Sequence, residues 1–450
     1  MGSMAELDLA RAQMAMLFAF HILFAVAGIG MPVLMVIAEG AHLRTGKPVY
    51  AELARRWARV TAVLFAVGAV SGTVLSFELG LLWPRFMDFA GGVIGLPFAL
   101  EGFAFFAEAI FLGIYVYGWE KVSPRLHLAA GCLVALGGIL SGVFVVSANA
   151  WMNSPAGFTL LGGRPVDVSP LAAMANPSWM TEAIHMTSAA FAASGFAVAG
   201  IHALRLLRDP GNRIHRVAIV IALSVGGAAA VLQPISGDFS ARVVARNQPA
   251  KLAALEAQFR TQRGAPLRIG GLPDAAAETT RYSIEIPGAL SLLAFHDRDA
   301  EVVGLSAFPR DERPDPVPVH LAFQFMVACG IAMVAVGAVG AILGWKRRER
   351  FFSRPFLRAV AACGPLGLLA VEAGWVVTEL GRQPWIIHKV MRTSDAVTPV
   401  GGLALPFAFF SLIYLALGVF AARLLRRELA ACPYFPAGEG GSPMVPGGEV

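Results

Sequence analysis

Nine separate apolar runs, each about 20 residues or longer, constrain this chain more than any other feature of it. They lie near 14–38, 58–82, 94–118, 127–150, 181–206, 215–235, 319–345, 356–380 and 402–424. A run of that length crosses hydrocarbon only as a helix, because every backbone N–H and C=O has to be bonded inside the segment. Hydrophobic residues make up 56% of the chain and charged ones 15%, against about 25% charged in an ordinary soluble domain. The expected fold class is therefore all-α, a polytopic membrane protein with nine transmembrane helices. Residues 1–13 contain Glu6, Asp8 and Arg11 where a cleavable signal has a basic region, so the first run is expected to remain as a span.

Charge in the short loops sets the expected orientation. Arg44, Lys47, Arg55 and Arg56 follow the first span, Lys121 and Arg125 the third, and Arg205, Arg208, Arg213 and Arg216 the fifth. Lys346, Arg347, Arg348, Arg350 and Arg354 follow the seventh, and Arg423, Arg426 and Arg427 end the ninth. The loops between are poorer in Lys and Arg, which puts the N-terminus outside and the C-terminus in the cytoplasm. The net charge of +6 belongs to these loops and does not indicate nucleic-acid binding. Cys132, Cys329, Cys363 and Cys432 are scattered, with no CxxC pair and no disulfide framework. The expected organisation is transmembrane helices 1–6 over residues 1–235, an external segment over 236–318, helices 7–9 over 319–426 and a Gly/Pro-rich, disordered cytoplasmic tail over 427–450. The external segment is too long for a plain connector and reads as a folded lid. Within it QPAKLAALEAQFR is predicted as an amphipathic helix, with Leu252, Leu255 and Phe259 on one face. No internal repeat is visible.

With orientation set, polar residues inside spans acquire a depth. His21 on span 1, His185 on span 5, Met326 on span 7 and Glu379 on span 8 all fall within about 10–12 Å of the outer surface at 1.5 Å per residue. Imidazole, thioether and carboxylate all ligate haem iron, and His/Met is a low-spin electron-transfer pair. Each also has a plainer reading: Met as core filler, His bonded to a neighbouring helix, Glu379 paired with Arg382. Glu101 and Glu108 stand seven apart on one face of span 3, and Glu372 and Glu379 repeat that spacing on span 8. Stacked intramembrane carboxyls suit a proton route.

Several long strings carry a family resemblance. They are FHILF around His21, FELGLLWP at 77–84, LEG…FFAEAIF from Leu100 to Phe111, ANAWMNSP at 148–155 and AIHMTSAAF around His185. QFMVACG around Met326, KLAALEAQF at 251–259 and VEAGWVVTELGRQPW at 371–385 complete the set. Together they resemble, over nearly the full length, subunit I of the cytochrome bd-type quinol oxidases. The short external segment is similar to the short-loop, cyanide-insensitive branch, and Gln324 stands where some relatives have an arginine.

The resemblance implies a terminal oxidase subunit that oxidises membrane quinol at the outer surface and reduces O₂ to water, with protons drawn from the cytoplasm. It implies His185 and Met326 as axial ligands of a low-spin haem b. It implies His21 and Glu379 as ligands of two high-spin haems, one haem b and the other haem d or a third haem b, with Trp375 and Arg382 beside them. Lys251 and Glu256 match the quinol positions, and Glu101 and Glu108 the proton route. Expected partners are the lipid bilayer, a homologous subunit II in a heterodimer, and small single-span accessory subunits. The expected location is the bacterial cytoplasmic (inner) membrane. Two other functions compete. A quinone-linked cytochrome b electron carrier would need only the His185/Met326 site. A secondary transporter would cluster its polar residues at the midplane between inverted repeats, whereas here they gather at one surface.

Overall fold

The computed structural model describes residues 2–430 together with Phe435. Among the described residues nine helices are long and apolar enough to cross a membrane, and the chain is a multi-pass helical membrane protein. The spans are Gly2–Thr45, Pro48–Leu82, Pro84–Tyr117, Pro124–Asn153, Trp179–Arg208, Arg213–Asn247 and Pro316–Lys346, followed by the interrupted pair Arg354–Cys363 and Leu366–Leu380, and then Ala404–Ala430. Proline opens four of them, at Pro48, Pro84, Pro124 and Pro316. At the first helical position the missing N–H has no intrahelical partner to lose. The eighth span breaks at Gly364 and Pro365, where the ring removes a backbone donor.

Spans 1–4 pack as one bundle and spans 5–8 as a second. The fifth span lies against the first and fourth, and the ninth lies against the first and second. Small residues let backbones close up, as membrane helices require when lipid is as apolar as leucine. A Cβ on Gly195 of span 5 would sit 2.5 Å from the Cα of Gly226 on span 6. The ninth helix runs to Ala430, so the tail expected from 427 starts later. Its remainder, and Cys432, lie outside the described residues except for Phe435, whose carbonyl accepts from Arg213 N–H at 2.8 Å. Cys132, Cys329 and Cys363 are unpaired thiols.

The segment between spans 6 and 7 is ordered. The sixth helix continues to Asn247, well past the apolar run expected to end at 235. A short helix, Pro249–Leu255, follows. Three antiparallel strand pairs are then nested, Gln262–Arg263 with Glu301–Val302, Leu267–Ile269 with Ile284–Ile286, and Leu272–Asp274 with Thr279–Arg281. Span 7 holds this ribbon down. His320, fully buried, bonds the carbonyls of Leu255 at 2.7 Å and Gly270 at 3.1 Å. Gln324 accepts from Gly270 N–H and donates to the Arg268 carbonyl, both at 3.0 Å. The helix predicted through residue 260 stops at Leu255, because Ala257 turns to φ 48°. Leu255 and Phe259 then enter one apolar cluster and Leu252 another. The spacing identified the buried residues correctly and made the helix one turn too long.

Candidate functional site

His21 and His185 sit in matching settings. His21 Nδ1 lies 3.0 Å from Ser71 Oγ on span 2, and His185 Nδ1 lies 2.9 Å from Ser236 Oγ on span 6. In each case the next residue is glycine. A Cβ on Gly72 would fall 2.9 Å from His21 Cε1, and one on Gly237 3.5 Å from His185 Cε1. Neither Nε2 has a hydrogen-bond partner among the described residues. The first two helices of each bundle thus repeat one device: imidazole, orienting hydroxyl, glycine under the ring. The echo is confined to a few residues about 50 apart in each bundle and is no wider internal repeat.

Met326 and Glu379 meet the same region from spans 7 and 8. Met326 Sδ lies over Gly374, where a Cβ would be 3.1 Å away. Trp375 stacks on Phe18 of span 1 with centroids 6.4 Å apart, tying together the helices of His21 and Glu379. Glu379 accepts from Asn149 Nδ2 at 2.7 Å and from Arg382 Nη2 at 2.5 Å. Its side chain remains 35% exposed, while that of Arg382 is 1% exposed. Each carboxylate oxygen therefore keeps a lone pair free.

The unforeseen centre of this network is Asn153, buried at the end of span 4. Its Oδ1 accepts from Lys251 Nζ at 3.2 Å, Arg382 Nη1 at 3.3 Å and Gln248 Nε2 at 3.4 Å. Its amide donates to Asn149 at 3.2 Å and to Glu182, one turn before His185, at 3.3 Å. Lys251 thus belongs with Arg382, Glu379 and Glu182. Lys251 and Glu256, the two residues matched to the quinol positions, are both buried, at 5% and 6% exposure. Burial pulls the Lys251 ammonium below its ordinary range, with Glu182 opposing. Glu256 faces Arg268, and burial raises its carboxyl to about 7. Glu101 and Glu108 share the face of span 3 turned to span 4. Ser141 Oγ donates to Glu101 at 3.4 Å. Glu108 is buried against Gly137 and Gly138, and its Oε1 has no partner.

The family model described as cytochrome bd terminal oxidase subunit I matches residues 9–433. The chain belongs to the cytochrome bd terminal oxidase subunit I family. It is 39% identical over 421 residues to a Bacillus subtilis (strain 168) protein provisionally named cytochrome bd menaquinol oxidase subunit I, covering 92% of this chain and 94% of that one. It is 31% identical to the cytochrome bd ubiquinol oxidase subunit 1 of the same organism, over 95% of this chain and 94% of that one. The bd oxidase structure from Geobacillus thermodenitrificans superposes with a TM-score of 0.91 at 37% identity, covering 96% of this chain and 99% of that one. This cytochrome bd subunit I is therefore part of a terminal quinol oxidase, a quinol:oxygen oxidoreductase, and it uses haem.

The residues of this cytochrome bd subunit fit haem. A porphyrin supplies four ligands to its iron, so the protein adds only one or two axial groups. Among the described residues no three His, Cys, Asp or Glu converge as a chelating set; the potential ligands stand singly. Each histidine offers a free Nε2 while a hydroxyl fixes Nδ1, the arrangement that orients ligating imidazoles. Sequence reasoning passed over Asn149, Asn153, Ser71, Ser236, Glu182 and the buried pair Gln13–Glu78, bonded at 2.8 Å. Asn149 and Asn153 carried a usable signal, being amides four apart at the end of an apolar helix.

Proposed function

We propose that this subunit oxidises membrane quinol at its outer face and reduces O₂, with residues placed to hold three haems that would supply the electron transfer between them. The observation that carries the reading is the twin setting of His21 and His185, each with Nδ1 on a serine, Nε2 unpartnered and glycine beneath the ring. His185 and Met326 hold a low-spin haem b. His21 and Glu379 hold the two high-spin haems, one haem b and the other haem d or a third haem b, with Trp375 and Arg382 as their surroundings. When bound, these groups supply one-electron transfer and oxygen activation.

The protein's own residues bind quinol and move protons. Residues 236–318 form the external quinol-binding segment, with the N-terminus outside and the C-terminus cytoplasmic. Lys251 supplies a buried ammonium to steady negative charge developing on a quinol oxygen, and Glu256 takes a proton. Glu101 and Glu108 relay protons from the cytoplasmic side along the contact of spans 3 and 4. Quinol protons leave outside while those consumed arrive from inside, so turnover separates charge across the bacterial inner membrane. Moving one charge stores about 2.3 kcal/mol per 100 mV. The subunit works with a homologous subunit II and small single-span subunits.

Visible spectra of the purified oxidase test the ligand assignments. His185→Ala is expected to remove the low-spin signature and keep the high-spin haems, and His21→Ala to remove one high-spin haem and keep the low-spin signature. A His185→Ala protein with its low-spin spectrum intact would remove that ligand from the scheme.

A further inference from the structure

We propose that His388 is a direct quinol contact, accepting a hydrogen bond from one quinol hydroxyl and carrying that proton to the outside. This rests on reading the Lys251 cleft as the quinol site. The cleft lies where the external segment meets the turn that follows span 8. Its walls include Ala250, Lys251 and Phe308 on one side and Arg382, Trp385 and His388 on the other. Both ring nitrogens of His388 are buried and neither has a hydrogen-bond partner among the described residues. A buried polar side chain left unsatisfied is costly, and such groups are commonly completed by a ligand or water.

The backbone holds the imidazole in place. His388 N–H donates to the Met152 carbonyl at 2.9 Å, and Val390 N–H to the Ile387 carbonyl at 3.0 Å, closing a tight turn with Lys389 at φ 56°. The charged groups around it are mostly cations. Burial first, then Lys389, Lys251 and Arg382, hold His388 at about 4, so the ring is neutral at ordinary pH and has an acceptor nitrogen. Lys251 and Arg382 can only donate, and Asn153 and Glu379, which accept from them, do not line the cleft. Glu312 also lines the cleft, but it is part-exposed and open to water. A quinol hydroxyl entering here meets donors on one side and His388 as its buried acceptor.

The chemistry balances. Oxidation of quinol to quinone releases two protons and two electrons. One O–H proton passes to the free His388 nitrogen, its bonding pair stays on the ring oxygen, and the two electrons leave for O₂, the acceptor of the quinol:oxygen reaction. The low proton affinity of His388 then returns that proton to external water, and Glu256 serves the other.

The test uses the purified oxidase with a short-chain soluble quinol. His388→Leu is expected to raise the quinol KM about tenfold, the worth of one hydrogen bond to a buried group, and to lower kcat. His388→Gln, which restores an acceptor, should recover most of the loss. Haem content, the dithionite-reduced spectrum and the oxidation of pre-reduced enzyme by O₂ should not change in either variant. Unchanged kinetics in His388→Leu, alongside a raised KM in Lys251→Leu, would overturn the His388 assignment and leave the cleft as the quinol site. Unchanged kinetics in both would overturn the cleft as well. Haem loss in both His388 variants would make the residue structural and end the proposal.

Discussion

A single oxygen, Oδ1 of Asn153, faces the buried Lys251 and Arg382 side chains. Asn153→Leu strips that neutral acceptor from two buried cations, and losing a hydrogen-bond partner of a buried polar group costs about 1–3 kcal/mol. The variant is expected to melt lower and lose quinol turnover while keeping the His21 haem spectrum. Glu256 gives a pH signature. Its folded-state carboxyl sits at about 7, above the ordinary value near 4.3, so its contribution to stability is complete below the unfolded pKa and is lost as pH rises through 7. Hydrogen exchange should show the external segment better protected at pH 5.5 than at pH 8, with Glu256→Gln removing the difference. Equal protection at both pH values in the parent protein would contradict this. The ligand candidates were legible because a titratable side chain inside a span is rare. Ser71 and Ser236 were not, since hydroxyls are common in spans and only their three-dimensional partners distinguish them.

Among the elements, the nested ribbon shows where periodicity stops being informative. Leu252, Leu255 and Phe259 recur at helical spacing, yet the helix ends once Leu255 and Phe259 can reach the cluster with Leu305, Val319 and Val377. Tertiary burial outweighed the local pattern. Span positions were readable because hydrocarbon thickness fixes their length, whereas polar turns extending the sixth helix to Asn247 follow no such rule. His320 and Gln324 give the ribbon its attachment, and Gln324 takes its place through the Arg268 and Gly270 backbone. His320→Ala leaves two carbonyls unpaired, at about 1–3 kcal/mol each if buried. Limited proteolysis should then cut within residues 262–302 while the nine spans stay intact. The contact of spans 1 and 2 is as strict: Gly72→Ala places a methyl 2.9 Å from His21 Cε1. We expect selective loss or alteration of the haem signal assigned to His21, with the His185 signal unchanged.

At the scale of the whole molecule, the two bundles divide the labour. Each presents one serine-held imidazole, but only the first carries the acids of span 3. Glu108→Gln keeps the size of a residue packed on Gly137 and Gly138 but cannot release a proton. In sealed vesicles it is expected to slow O₂ reduction at least about tenfold and to reduce membrane potential, with reduction of the low-spin haem by quinol little affected; full turnover would place proton entry elsewhere. The Lys251 side chain also crosses Gly381 so closely that a Cβ there would meet its Cγ at 2.9 Å and its Cε at 3.1 Å. During synthesis the ribosome makes residue 251 long before residue 381, so this lysine, although Asn153 is already made, lacks one wall of its seat until the eighth span has entered the membrane. The cleft proposed for quinol is consequently among the last parts to close, and a chain truncated before that span should leave Lys251 open to amine-acylating reagents that the finished subunit excludes. Order of assembly thus ties the closing of this cleft to completion of the chain.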